Sequence, residues 1–112
     1  MSDLETAFDT LWRLTSYPPL DTEIRFHPPR RWRLDRGHVA AMVGVELDGA
    51  TWTGGRHTRG AGYSKDCTKL NQATADGWAV FRITRDMLDN DPMLPLSLIA
   101  ATISARLSRS GA

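Results

Sequence analysis

The chain has 112 residues, a mass of 12.5 kDa and a formal net charge of +1, which suits one domain built on one core. Hydrophobic residues make up 41% of the sequence, the ordinary share for a globular protein, and no apolar run approaches the ~20 residues of a membrane span. The single cysteine, Cys67, excludes an intrachain disulfide framework and a cysteine-rich zinc site. We therefore expect a cytoplasmic protein with no membrane association and a single domain, residues 1–112.

The charges are unevenly distributed along the chain. Residues 25–69 hold nine Lys or Arg and only four Asp or Glu, so this stretch carries a net charge of +5. A basic middle within a nearly neutral protein indicates a surface that faces a polyanion such as nucleic acid. A solvated charged face would have the same composition, and charge alone does not separate the two interpretations.

The first half of the chain predicts a helix followed by three strands. The helix covers 2–14, and Ser2 with Glu5 three places later forms a capping box. Arg36-Gly37-His38 is predicted as a tight turn, which makes a hairpin of the two strands around it. The predicted strands are 23–27, 31–35 and 39–48.

The second half predicts a loop and then further helices around one strand. The glycine-rich segment 49–62 is expected to be a loop, and long loops in compact domains are often functional. The remaining elements are a helix over 64–76 with Cys67, Leu70, Ala73 and Thr74 inward, a strand over 78–83, a short helix capped by Thr84, and a helix over about 95–107 with Leu96, Ile99, Ile103 and Leu107 on one side, before a frayed tail. This order predicts an α/β fold with a core over about 23–88, in which a small central mixed β-sheet is flanked by helices.

Three acidic residues stand where strands end. Asp35 closes one strand, and Glu46 and Asp48 lie two apart near the end of the next, so that their side chains share one face. A hairpin between these strands would gather the three carboxylates at one edge of the sheet. Oxygen ligands of this kind suit Mg²⁺ or Mn²⁺, although acids at a strand end can also simply face water.

Basic and aromatic residues surround the predicted acidic cluster. Arginine offers bidentate contacts to phosphate, and an exposed tryptophan can stack on a base or plug the core. The residues predicted to contact DNA are Arg31, Arg33, Trp52, Arg56, Arg59, Lys65, Lys69 and Asn71.

His57 and two lysines are the remaining candidates for catalysis. The ordinary pKa of histidine suits proton transfer near neutral pH, and the alternative is a loop histidine that contacts phosphate or solvent. Lys65 and Lys69 lie four apart on one face of the predicted second helix, where either can reach a scissile phosphate or face water.

A family resemblance is carried by several of these segments. The run WRLD, residues 32–35, followed by VELDG, residues 45–49, resembles the core of PD-(D/E)XK restriction-endonuclease-like nucleases. More closely, GGRHTRGAGYSKDCTKLNQATADGWAVFRIT, residues 54–84, is similar to a group of small phage and prophage proteins related to the very-short-patch repair endonuclease. The match runs from about Phe26 to Leu88, more than half the chain. It implies a restriction-endonuclease-like core and a Mg²⁺-dependent DNA cleavage site in a bacterial host cell.

The resemblance also implies residue roles. Asp35 corresponds to the first metal acid and Glu46 to the second, whereas Asp48 stands where the family carries lysine. His57 matches a histidine that takes part in catalysis in the repair-endonuclease branch; otherwise Lys65 or Lys69 supplies the positive charge.

The first helix holds one further acid of this kind. Glu5 resembles an additional acid that some members use, and its simpler role is in the capping box.

The sequence therefore predicts a metal-dependent DNA endonuclease that is structure-specific or nicking. One alternative is a Holliday-junction-type resolvase, which must cut twice and so requires a homodimer. The other is a non-catalytic DNA-binding protein that retains the nuclease fold, and the missing lysine favours it.

Overall fold

Four strands form one mixed sheet with helices on both faces in the computed structural model, which describes residues 2–49 and 60–111. The sheet order is β1-β2-β3-β4; the first two pairings are antiparallel and the third, β3 with β4, is parallel. The α/β class with a small mixed sheet flanked by helices is confirmed. The elements are α1 Asp3–Arg13, β1 Asp21–Ile24, β2 Leu34–His38, β3 Val43–Asp48, α2 Ala61–Ala75, β4 Ala79–Thr84, α3 Arg85–Asn90 and α4 Met93–Gly111.

The two faces of the sheet carry two separate apolar clusters. Alternate residues of β3, Val43 and Val45, are fully buried in the larger cluster, which joins the sheet to α1, α3 and α4. The smaller cluster lies under α2 and contains Ala73 and Trp78 together with Ile24 and Leu34. Because side chains alternate along a strand, Glu46 points to the α2 face, beyond the end of this smaller core.

Helix α1 is fixed by its cap and by a buried arginine of the sheet. The predicted capping box is confirmed: Glu5 N–H donates to Ser2 Oγ, and Ser2 N–H donates to Glu5 Oε2, both at 3.1 Å. Arg36 of β2 is 3% exposed, and its Nε and Nη2 each donate to a different carboxylate oxygen of Asp9 at 2.9 Å. A third contact, from Arg36 Nη1 to Glu5 Oε1 at 3.3 Å, shows that Glu5 is engaged in holding α1 to the sheet.

Helix α2 ends in a Schellman motif. Trp78 N–H donates to Ala73 O at 2.9 Å and Gly77 N–H donates to Thr74 O at 3.0 Å, while Gly77 takes a φ of +100°. Glycine suits this conformation because it has no Cβ. The predicted end of the second helix at Gly77 is confirmed, and the motif returns the chain directly into β4.

The hairpin is formed, but its strands are displaced from the predicted positions. β2 covers Leu34–His38, so Arg36-Gly37-His38 is strand and the turn lies at 39–42, closed by Met42 N–H to Val39 O at 3.0 Å. A Cβ on Gly37 would come within 2.6 Å of Val43 O and 2.8 Å of Ile24 Cδ1. The glycine is required by close strand packing, and its interpretation as a turn residue was wrong.

The strand and helix bounds shift accordingly. β1 covers Asp21–Ile24, where 23–27 was predicted, and β3 starts at Val43, four residues after the predicted start. The last helix runs on through the tail that was expected to fray. Thr74 and Leu107, both predicted to face inward, are exposed, Leu107 by 37%. Over the described residues, none of the helices combines the length and apolarity that crossing a membrane requires.

Candidate functional site

Asp35 and Glu46 meet on the α2 face of the hairpin. The β2–β3 register ends with Arg36 opposite Val45, and Asp35 and Glu46 are the next residue of each strand beyond that pair. Leu47 N–H donates to Asp35 Oδ2 at 2.8 Å, and Asp35 N–H donates to Glu46 Oε2 at 3.2 Å. Each carboxylate therefore uses one oxygen to bind the backbone of the opposite strand, which holds both side chains in place.

Lys69 of α2 completes this group from above the sheet. Its Nζ donates to Glu46 Oε1, and the two side chains are only 16% and 13% exposed. The sequence left open whether His57, Lys65 or Lys69 stands in for the missing strand lysine. The structure places Lys69 at the second acid, whereas Lys65, one turn earlier, is exposed.

The electrostatics of Glu46 reflect its burial. Desolvation is the largest influence and raises the pKa of the Glu46 carboxyl above its ordinary value, and the negative charge of Asp35 acts in the same direction. The hydrogen bond and charge of Lys69 oppose this shift without reversing it. Additional positive charge near Glu46 would stabilise its ionised form, and pKa shifts of this kind cluster at functional sites.

Asp48 does not join the other two carboxylates. Arg82 of β4 lies opposite Glu46 in the parallel register, and its Nε and Nη2 both lie 2.8 Å from Asp48 Oδ2. The hydrogen bond to Asp48 raises the pKa of Arg82, so the guanidinium is held in its charged form. Within residues 2–49 and 60–111, no three His, Cys, Asp or Glu side chains form a group that could hold a metal ion. The three-carboxylate cluster expected from the sequence is observed as the pair Asp35 and Glu46.

This pair still fits a small divalent cation. Mg²⁺ is commonly bound through one or two carboxylates and keeps several water ligands, so a third protein carboxylate is not required. Asp35 Oδ2 and Glu46 Oε2 accept from backbone N–H groups and Glu46 Oε1 accepts from Lys69, so a cation bound here would take the place of the Lys69 ammonium group at Glu46, whose charge is disfavoured by burial. Asp35 and Glu46 are therefore the residues that would hold Mg²⁺ or Mn²⁺.

The other predicted site residues are distributed more widely. Arg33 Nη1 forms an exposed ion pair with Glu23 Oε1 at 2.8 Å. Arg31 and Asn71 are exposed and make no contact with the acidic pair among the hydrogen bonds of the described chain. The predicted loop residues Trp52, Arg56, His57 and Arg59 lie outside the described residues.

Two features of the site were not predicted from the sequence. Arg82 sits in the alternating run AVFRIT, and the parallel register that brings it to the acids depends on how β4 pairs with β3. Arg30 and Trp32 form a cation–π contact beside α2, a pairing that two residues of spacing permit but do not specify.

Comparisons of the chain with protein-family models, curated proteins and solved structures give no match.

Proposed function

We propose that the protein is a metal-dependent DNA endonuclease of the PD-(D/E)XK type. The observation that carries this proposal is the convergence of Asp35, Glu46 and Lys69, from two adjacent strands and the helix above them, at one point on the α2 face. Hydrolysis of a phosphodiester can use a divalent cation, and two acids with one lysine are the groups that the resemblance to PD-(D/E)XK nucleases implies. The basic middle of the chain supplies the electrostatic attraction for a nucleic acid.

Each of the three residues has a distinct role in this proposal. A Mg²⁺ ion bound by the carboxylates would polarise the scissile phosphate and lower the pKa of a water molecule. Asp35 is oriented by Leu47 N–H, and Glu46 by Asp35 N–H, so both carboxylates are positioned before substrate arrives. Lys69 neutralises Glu46 in the free protein, and its ammonium group stabilises the additional negative charge on the phosphate during reaction.

The test is cleavage of DNA with Mg²⁺ or Mn²⁺ by matched variants. Supercoiled plasmid, linear duplex and four-way junctions serve as substrates, with Asp35→Asn, Glu46→Gln and Lys69→Met compared with the wild type. Asp86→Asn is the control because Asp86 is an exposed acid on α3, on the other face of the sheet. We expect each site variant to lose about 100-fold or more in rate, and the control to keep its activity. Wild-type cutting that survives in the site variants, or in a chelator, would refute the proposal.

A non-catalytic DNA-binding role is the second candidate. Glu46 already has a lysine partner and Asp48 an arginine partner, so these acids are neutralised within the protein. Calorimetry with Mg²⁺ and Mn²⁺ separates the two functions. DNA binding without any metal binding favours the binder, whereas metal binding abolished by Asp35→Asn favours the nuclease.

The resolvase form of the nuclease makes two additional demands. It requires preferential cutting of four-way junctions over linear duplex. It also requires a dimeric mass at the working concentration, because two strands must be cut.

A further inference from the structure

A small cleft lies between the segment before β2 and the first turns of α2. Its volume is about 280 Å³, and it is lined by Arg30, Trp32, Ser64, Lys65 and Thr68. Two of these side chains are cationic and two carry hydroxyl groups, and no acidic side chain of the described chain is among them. Neither Arg30 nor Lys65 makes an ion pair with a carboxylate of residues 2–49 or 60–109. The charge in the cleft is therefore available to an anion.

Arg30 is held in a defined position by Trp32. Its guanidinium carbon lies 3.9 Å from the centroid of the indole ring, a cation–π contact. Trp32 is itself supported by Phe26, whose ring is nearly parallel at 11° with centroids 6.1 Å apart. A guanidinium that is held against a ring loses less side-chain freedom when its N–H groups bind a phosphate.

Helix α2 contributes residues both to the cleft and to the candidate site. Lys65 precedes Lys69 by four residues, a rise of about 6 Å along α2. One strand of duplex DNA advances about 3.4 Å per nucleotide, so the cleft is about one or two nucleotides from a phosphate held at Glu46 and Lys69. This spacing relates the cleft to the group of Glu46 and Lys69, a relation that the sequence alone does not reveal.

We propose that the cleft is a phosphate-binding subsite that holds the backbone of the nucleic-acid strand one or two nucleotides from the scissile phosphate. Arg30 and Lys65 bind the phosphate oxygens, Ser64 and Thr68 offer hydroxyl groups, and Trp32 is a positioning residue for Arg30. This inference rests on the proposed nuclease function for the location of the scissile phosphate. Phosphate is favoured over a stacked base because the indole ring already contacts the Arg30 guanidinium and the Phe26 ring.

The salt dependence of DNA binding tests the subsite without any cleavage. Affinity for a short labelled single-stranded oligonucleotide is measured in a chelator between about 50 and 200 mM salt, by fluorescence anisotropy. Each phosphate contact contributes about 0.7 to the slope of log K against log salt for a single strand. We expect Arg30→Gln and Lys65→Gln each to reduce the slope by about that amount. The fold loss of affinity between the two salt concentrations should therefore be about 2.6 times smaller for each variant than for the wild type.

Two controls make the result specific to the cleft. Arg13→Gln removes an exposed cation from α1, on the opposite face of the sheet, and is expected to leave the slope unchanged. Trp32→Leu retains both cations of the cleft, so we expect weaker binding with a nearly wild-type slope, and rescue of the affinity by Trp32→Phe. Circular dichroism and a denaturation curve establish that each variant is folded before binding is compared.

The outcomes separate this inference from the proposed function. Slopes that do not change in Arg30→Gln and Lys65→Gln, or that change equally in Arg13→Gln, refute the subsite even if the protein cuts DNA. Reduced slopes in a protein that cuts no DNA under any metal condition support the subsite and refute the nuclease. Inorganic phosphate is the second probe, and competition at the affinity of the oligonucleotide would show a free-phosphate site and overturn the assignment to a strand.

Discussion

Substituting Lys69 by methionine should reveal how strongly the site depends on one ammonium group. Lys69→Met keeps an unbranched side chain of similar length and removes only the charge that lies on Glu46 Oε1. Glu46 is 13% exposed, and burial together with Asp35 already raises its pKa, so the variant leaves a largely buried carboxylate beside a second acid. A buried charged group that loses its partner costs at least about 1–3 kcal/mol in unfolding free energy.

The pH dependence of this cost has a definite sign. Because the pKa of Glu46 is raised on folding, folded Glu46 binds its proton more tightly than unfolded Glu46 does. Its contribution to stability is therefore fully present below the ordinary glutamate pKa of 4.5 and is lost as the pH rises through the folded value. Lys69 limits that loss, so Lys69→Met should be most destabilising at neutral pH and nearly neutral near pH 4, where the carboxyl is mostly protonated in both states.

Urea denaturation at about pH 4 and pH 7.5 measures the effect, with Lys65→Met as the matched control. Lys65 is one turn away on the same helix and is exposed, so its substitution should change the unfolding free energy by about 0.5 kcal/mol or less at both pH values. In a Glu46→Gln background, Lys69→Met should lose most of its effect. A Lys69→Met cost equal to that of Lys65→Met, or the same cost at both pH values, would refute this account of the pair.

Two further predictions concern contacts that hold the site's surroundings in place. Asp9→Ala leaves the buried Arg36 guanidinium without its bidentate partner and should lower the unfolding free energy by about 3–5 kcal/mol, whereas Asp9→Leu combined with Arg36→Met should recover most of that loss in chemical denaturation. Hydrogen bonds from Gln72 and then His27 lower the pKa of Asp76, so its stabilising contribution is present above the unfolded pKa and is lost as the pH falls. The melting temperature of Asp76→Asn should therefore fall less than that of the wild type when the pH is lowered from 5 to 3.

The elements with strong local signals were predictable from the sequence, and the strand bounds were not. The α1 capping box and the glycine after α2 are determined by neighbouring residues, and both were predicted correctly. The run 39–48 is mostly apolar, but its first four residues form the turn, where Met42 takes a φ of +55°. Apolar residues do not distinguish a strand from a turn that packs against another element. This turn lies against α4, where the Arg106 guanidinium donates to Met42 O at 2.9 Å.

The candidate site divides in the same way. The predicted hairpin brings Asp35 and Glu46 close together: Asp35 N–H donates to the Glu46 carboxylate, and Leu47 N–H donates to the Asp35 carboxylate. Two-residue alternation gives Asp48 an equal claim, because it shares the face of Glu46. Asp48 instead forms an ion pair with Arg82. The position of Arg82 depends on the parallel register of β4, which the chain reaches through the crossover helix α2. Long-range pairing of this kind has no signature in the spacing of residues along one strand.

The basic stretch that first indicated a nucleic-acid partner now has a more restricted meaning. Three of its nine cations neutralise acids of the protein itself: Arg33 with Glu23, Arg36 with Asp9 and Lys69 with Glu46. A net charge of +5 over this stretch therefore overstates the charge that a strand can meet on the described surface.

The positions of the cations that remain available are more informative than the number of those cations. Arg30 and Lys65 converge on one cleft beside the acidic pair, and a general polyanion-binding face would not require this convergence. If the protein is a nuclease, the salt slope lost in Arg30→Gln should be accompanied by a lower cleavage rate at subsaturating DNA. A rate reduced equally at saturating DNA would instead place Arg30 in the chemical step.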